Sequence, residues 1–287
     1  NKNVFSLIFT HKDPDFKIHS EIKSYAKKMY TNSLVTFFAG ESLALILSLM
    51  LPPIYIGVYS ILLSVSGVIL FLINNLNTVF APAISKLYSE NKMIELESLF
   101  KQTTFVVNLL AFPFILSVMI FSKEILYLYD DTGGLVKYTP YLYAMIFGRI
   151  IRLLVGGAGS ILVMAGVEKY ELKLQIFRAF FINLLAIIFI SYYELLAIVF
   201  LFVLFNFLSE IYRVVIIYYK MHIHPFSKSL CLLILFSLPF FYISMNYSMD
   251  FDFFHFLFIP GLLYLFFGMV FLKKIKRIYL EILANKI

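Results

Sequence analysis

The chain has 287 residues, 61% of them hydrophobic and only 14% charged, with 24 Lys and Arg against 17 Asp and Glu. Soluble domains run at about 45–50% apolar and about 25% charged, so soluble enzymes, secreted disulfide scaffolds and disordered binders are excluded. One cysteine, Cys231, rules out an intramolecular disulfide. Thirty-three Phe and 20 Tyr with no Trp fit a lipid-facing protein in which Phe fills the hydrocarbon and Tyr the interfaces.

The opening apolar run, 4–9, is too short for a signal peptide, and a chain that starts at Asn1 reads as a fragment or a trimmed protein. A helix needs about 20 mostly apolar residues to cross about 30 Å of hydrocarbon. Eight stretches meet that length: 31–52, 56–75, 103–122, 139–164, 174–191, 195–216, 228–246 and 254–272. None alternates with the period of two that marks a membrane β-barrel, so the spacing predicts helices. After the second span, Phe80, Ile84 and Leu87, then Met93, Leu96 and Leu99, recur at helical spacing beside Lys86, Glu95, Glu97 and Lys101. This predicts an amphipathic helix at the inner interface, kinked by Pro82. The turn-like link Met221-His222-Ile223-His224-Pro225 separates six spans from a trailing pair.

The expected fold class is therefore an all-α membrane protein of about eight transmembrane helices, a six-helix lobe with a two-helix C-terminal extension. Its expected segments are an N-terminal cytoplasmic stretch (1–23), the lobe (24–220), the trailing pair (221–275) and a basic cytoplasmic tail (276–287). Charge sets the orientation. Twenty cationic residues fall on one side of the spans, Lys123 and Lys137 on the other, and Arg149 and Arg152 inside, which accounts for all 24. The positive-inside rule then puts both ends in the cytoplasm, so the basic balance is topology and no nucleic-acid partner is expected.

Charge inside a span stands out against this background. Arg149 and Arg152 lie in the fourth span, with Arg149 about ten residues, hence about 15 Å, from its outer end. Each central Arg costs about 2.5–3.5 kcal/mol to insert unless it is solvated or paired. Three residues apart, the two share a helix face with Gly156, Gly159 and Ser160 toward its inner end. Such a face suits a water-filled cavity that admits something anionic and bulky; the competing reading is an ion pair with Glu41 of the first span. Glu41 itself is either a protonatable site for ion coupling, since burial raises a carboxyl pKa, or, the favoured reading, a partner for Arg152 or a hydrogen-bonded interior acid. Asn74, Asn75 and Asn77 at the inner end of the second span are possible head-group contacts, although helix exits are commonly polar. Glu210 and Arg213 read as a local i,i+3 salt bridge, and Arg178 as a snorkelling residue near its helix start. His222 and His224 form a weak metal pattern without partners. The glycine run Gly156-Gly157-Ala158-Gly159 lies within a span and so is no phosphate loop. No Ser/His/Asp set, HExxH or carboxylate pair marks a catalytic site, so neither an enzyme, a metal nor a cofactor is expected.

Particular stretches resemble the polysaccharide (O-antigen or capsule) flippases of the multidrug/oligosaccharidyl-lipid/polysaccharide exporter superfamily. They are Tyr55-Ile56-Gly57-Val58-Tyr59-Ser60, the block Asn75-Leu76-Asn77-Thr78-Val79-Phe80-Ala81-Pro82-Ala83-Ile84-Ser85, Ala165-Gly166-Val167-Glu168-Lys169 and His224-Pro225-Phe226-Ser227-Lys228. The resemblance implies a second transporter lobe plus two added helices, with an N-terminal lobe as its partner. It implies translocation of an undecaprenyl-diphosphate-linked oligosaccharide across the bacterial inner membrane, driven by H+ or Na+, with membrane lipid around it. A drug or cation antiporter of the same superfamily and a polysaccharide polymerase are the alternatives. Acidic cavity residues would mark the first, and a large external loop the second.

Overall fold

The computed structural model describes residues 20–246 and 253–285, all helix and connecting turn with no strand among them. Eleven α-helices follow in order: α1 Ser20–Met50, α2 Pro53–Gly67, α3 Leu70–Ser89, α4 Met93–Ile120, α5 Ser122–Tyr127, α6 Thr139–Val155, α7 Ala158–Met164, α8 Glu168–Met221, α9 Lys228–Asn246, α10 Phe253–Val270 and α11 Leu272–Asn285. The chain is thus an all-α membrane protein. By length and apolarity α4, α8 and α9 qualify as membrane spans among the described residues, and up to five spans qualify if α6–α7 and α10–α11 each count as one bent span.

The 54-residue α8 is two arms rather than one rod. Glu194 takes φ 48° and ψ −128°, a conformation non-glycine residues seldom adopt. The arms fold back on each other there, because Arg213 hydrogen-bonds Glu171 at 2.6 and 2.9 Å. In a straight helix those residues would stand about 60 Å apart. At the tip of this hairpin the Tyr55 hydroxyl donates to Glu194 at 2.6 Å, tying the start of α2 to it.

The apolar face of α4 forms the centre of the core: Phe105, Phe112, Ile115 and Leu116 are fully buried. The helices α9 and α10 pack on it, through the ring pairs Phe112–Phe241 and Phe105–Phe271 and a 2.9 Å hydrogen bond from Tyr264 to the Leu110 carbonyl. On the other flank α1, α6 and α7 pack on α8.

Several boundaries differ from the expectation. The second span breaks after Gly67 and resumes as α3, which runs on to Ser89. No separate amphipathic helix covers 80–101. Those residues are the end of α3 and the start of α4, separated by a turn at Asn91 with φ 56°. Their apolar positions Ile84, Leu87, Leu96 and Phe100 are buried with Ala158, Ile161, Leu162 and Ile217. Periodicity identified an apolar face correctly, but protein rather than lipid covers it. The fourth span is broken as well: α6 and α7 meet at 46° across Gly156 and Gly157. The described part of the tail belongs to α11, which leaves α10 at 71°.

Candidate functional site

The break in the fourth span lies beside a polar cavity. Gly156 has φ +62°, and a Cβ added there would press on Thr104, whose own Cβ stands 3.1 Å away; only glycine accommodates both the dihedral and the contact. The helix end that the break exposes is held by Asn108, whose amide donates to the Leu153 and Thr104 carbonyls at 2.7 Å each. The last turn of α6, carrying Arg152 with Arg149 one turn earlier, is thereby fixed against α4.

A cavity of about 730 Å³ opens there, walled by α1, α2, α3, α6, α7 and both arms of α8. That size lies within the range of sites that enclose a small ligand, about 300–1,000 Å³. Four arginines line it: Arg149, Arg152, Arg178 and Arg213. Arg178 sits ten residues into α8 and Arg213 eight from its end, about 15 and 12 Å along the two arms. Glu171, Gln175 and Glu210 complete this wall, while Asn74, Asn77, Thr78 and Ser160 supply neutral polar groups from α3 and α7.

The four guanidiniums are not equivalent. Arg213 is buried and doubly neutralised: it makes a two-pronged bond to Glu171 on the opposite arm and a 2.5 Å bond to Glu210 one turn earlier. Gln175 donates to the same Glu171 at 2.8 Å, fixing the carboxylate plane. Gly159 leaves room for Arg213, which lies 3.6 Å from the position of an added Cβ. Arg149 stacks on the Phe202 ring, with its guanidinium carbon 4.7 Å from the ring centre. Among the described residues Arg149, Arg152 and Arg178 have no carboxylate within salt-bridge distance, and the Nε groups of Arg149 and Arg178 are buried without a partner. With both carboxylates ionised, four arginines and two glutamates leave the wall at +2. A cation without a counter-charge in such surroundings is costly, and among the described residues this wall carries a basic excess.

The expected site residues fall out unevenly. Arg149, Arg152, Asn74 and Asn77 come together on the cavity. Asn75 does not: it is exposed and donates to the Phe71 carbonyl of its own helix at 2.7 Å. Glu41 belongs to α1, but its side chain lies outside the described residues, as do residues 1–19 of the N-terminal segment. Two expectations are corrected. Arg178 does not snorkel at a helix start, because α8 begins at Glu168, six residues before the expected span, and this carries Arg178 into the cavity. The Glu210–Arg213 pair is not merely local, since it joins Glu171 across the hairpin. Four arginines therefore line the cavity, two more than the sequence placed inside the spans. His222 caps α8 in the left-handed conformation, whereas His224 faces Glu97 at 3.4 Å. No cluster of three or more His, Cys, Asp or Glu placed to hold a metal occurs among the described residues.

The cavity residues that sequence reasoning missed, Glu171, Gln175 and Arg178, recur at spacings of three and four. That is the signature of one helix face, and it was legible once α8 was known to begin at Glu168.

No curated protein and no solved structure matches the chain. Residues 4–129 match the family described as polysaccharide biosynthesis protein. That stretch contains Asn74, Asn77 and Thr78 of the neutral wall and stops before the first cavity arginine. It also contains the Asn75–Ser85 block, and this similarity supports a role in polysaccharide biosynthesis or export.

Proposed function

We propose that the chain is the C-terminal lobe of a flippase that moves a diphosphate-linked oligosaccharide from the inner to the outer leaflet of the bacterial cytoplasmic membrane. The observation that carries this reading is the set of three cavity arginines without acidic partners among the described residues, beside a fourth already neutralised. A dianionic diphosphate supplies the missing counter-charge, and Arg grips phosphate oxygens with two parallel bonds. The amide and hydroxyl groups of Asn74, Asn77, Thr78 and Ser160 suit the adjoining sugar. Transport pathways of this kind lie between two repeats near the midplane, so a second six-helix lobe is the expected partner and an H+ or Na+ gradient the expected driving force. Both ends face the cytoplasm in this proposal. A cation antiporter would need an acidic excess, and this wall carries a basic one.

The test uses the full-length protein in a strain lacking its own flippase. Arg149→Ala, Arg152→Ala and Arg178→Ala are expected to abolish surface polysaccharide while membrane abundance stays near normal, with Lys at each position restoring part of it. Normal export by all three alanine variants would overturn the proposal.

A further inference from the structure

The C-terminal helix α11 presents a second charged feature, remote from the cavity. Four cations occur within five residues, Lys273, Lys274, Lys276 and Arg277, and only Glu281 opposes them in Leu272–Asn285, a net +3. Lys273, Lys276 and Arg277 are exposed and Lys274 is half-buried. Had these residues continued α10, they would have prolonged a span into water as a solvated stalk. Instead the chain turns by 71° at Phe271. Since membrane helices tilt by about 20° on average, a helix at 71° to its preceding span runs close to the membrane plane.

Its faces are divided accordingly. Ile275 and Ile278 pack against the protein core, next to the buried Phe271. Leu272, by contrast, is 62% exposed. In the helical register position 279 recurs two turns after Leu272, Lys276 borders that edge, and Lys273 and Arg277 follow on the side away from Ile275 and Ile278. An apolar edge beside a basic face, running along the plane where a span ends, is the arrangement of a helix seated at the level of the lipid head groups.

We propose that α11 lies in the head-group layer of the leaflet where α10 ends and binds anionic phospholipid head groups through Lys273, Lys274, Lys276 and Arg277. Charge complementarity and direct continuity with a membrane span select this occupant over a soluble acidic partner. The inference is independent of what the cavity carries and requires only that the chain is a membrane protein.

The test reads α11 locally. The full chain, with Cys231→Ser and a spin label at Tyr279→Cys, is reconstituted into phosphatidylcholine vesicles with or without phosphatidylglycerol. With phosphatidylglycerol present the label should be immobilised, accessible to oxygen and shielded from a water-soluble nickel chelate. Replacing all four cations by Gln should lower the ratio of seated to free label by on the order of tenfold or more, as should high salt. A fourfold variant with Lys274 and the others kept basic (Lys273→Arg, Lys274→Arg, Lys276→Arg, Arg277→Lys) should behave as the parent, which separates charge from folding. A label that is water-exposed in phosphatidylglycerol vesicles overturns the proposal. So does one that is shielded to the same degree in every lipid and in the Gln variant, because α11 would then be held by protein contacts alone.

Discussion

Arg213 and its cavity neighbours should respond oppositely to truncation. Arg213 is 6% exposed and bonded to two carboxylates that are themselves buried, Glu171 at 7% and Glu210 at 2%. Arg213→Ala leaves both acids without a salt-bridge partner among the described residues and unlinks the two arms of α8. Removing one partner of a buried ion pair costs about 3–5 kcal/mol, and for a chain of this size about 2–4 °C is lost per kcal/mol. The melting temperature of purified protein in detergent should therefore fall by about 6–20 °C. Adding Glu171→Gln and Glu210→Gln to Arg213→Ala should recover much of the loss, because a neutral amide tolerates burial better than an orphaned carboxylate. Arg178→Ala removes a cation with no acidic partner among the described residues and should leave the melting temperature unchanged or raised. The assay is thermal unfolding followed by size-exclusion profile for the single and triple variants. An Arg213→Ala protein as stable as the parent, or a triple variant no better than the single one, would refute this division between a structural arginine and three available ones.

Gly156→Ala places a Cβ on a φ of +62° and against Thr104; a strained non-glycine conformation of this kind costs about 1–3 kcal/mol. Folded yield should fall, and Thr104→Ala should rescue it only in part because the dihedral stays unfavourable; membrane abundance of the single and double variants checks this. Asp130 accepts hydrogen bonds from the Thr132 and Leu135 amides and the Thr132 hydroxyl, which hold its carboxyl below the usual carboxylate range, the Thr132 bonds most strongly. The folded state thus favours the ionised form, so its contribution is fully present above about pH 4, the ordinary Asp value, and fades as pH falls through the lowered one. Amide protection of the 130–135 turn in hydrogen exchange should weaken in that acidic window, and Asp130→Asn should remove the pH dependence.

Composition and apolar run length were enough to establish a helical membrane protein, because the bilayer obliges every spanning segment to satisfy its own backbone. Intramembrane charge marked Arg149 and Arg152 for a similar reason: two charges placed deep in an apolar run call for a specific use. Which faces meet was beyond this reasoning. The apolar positions of 80–101 have the same periodicity whether lipid or α7 and α8 cover them, and only packing decided for protein. Arg178 became a cavity residue because α8 starts six residues earlier than hydropathy alone suggested. Arg213 and Glu171, 42 residues apart in sequence, became partners because the chain reverses at Glu194. The bends at Gly156 and Phe271 were likewise settled by tertiary contacts. Local sequence specifies how apolar a helix is and where its charges lie, whereas the counter-charge that each one meets depends on helices brought together from distant parts of the chain.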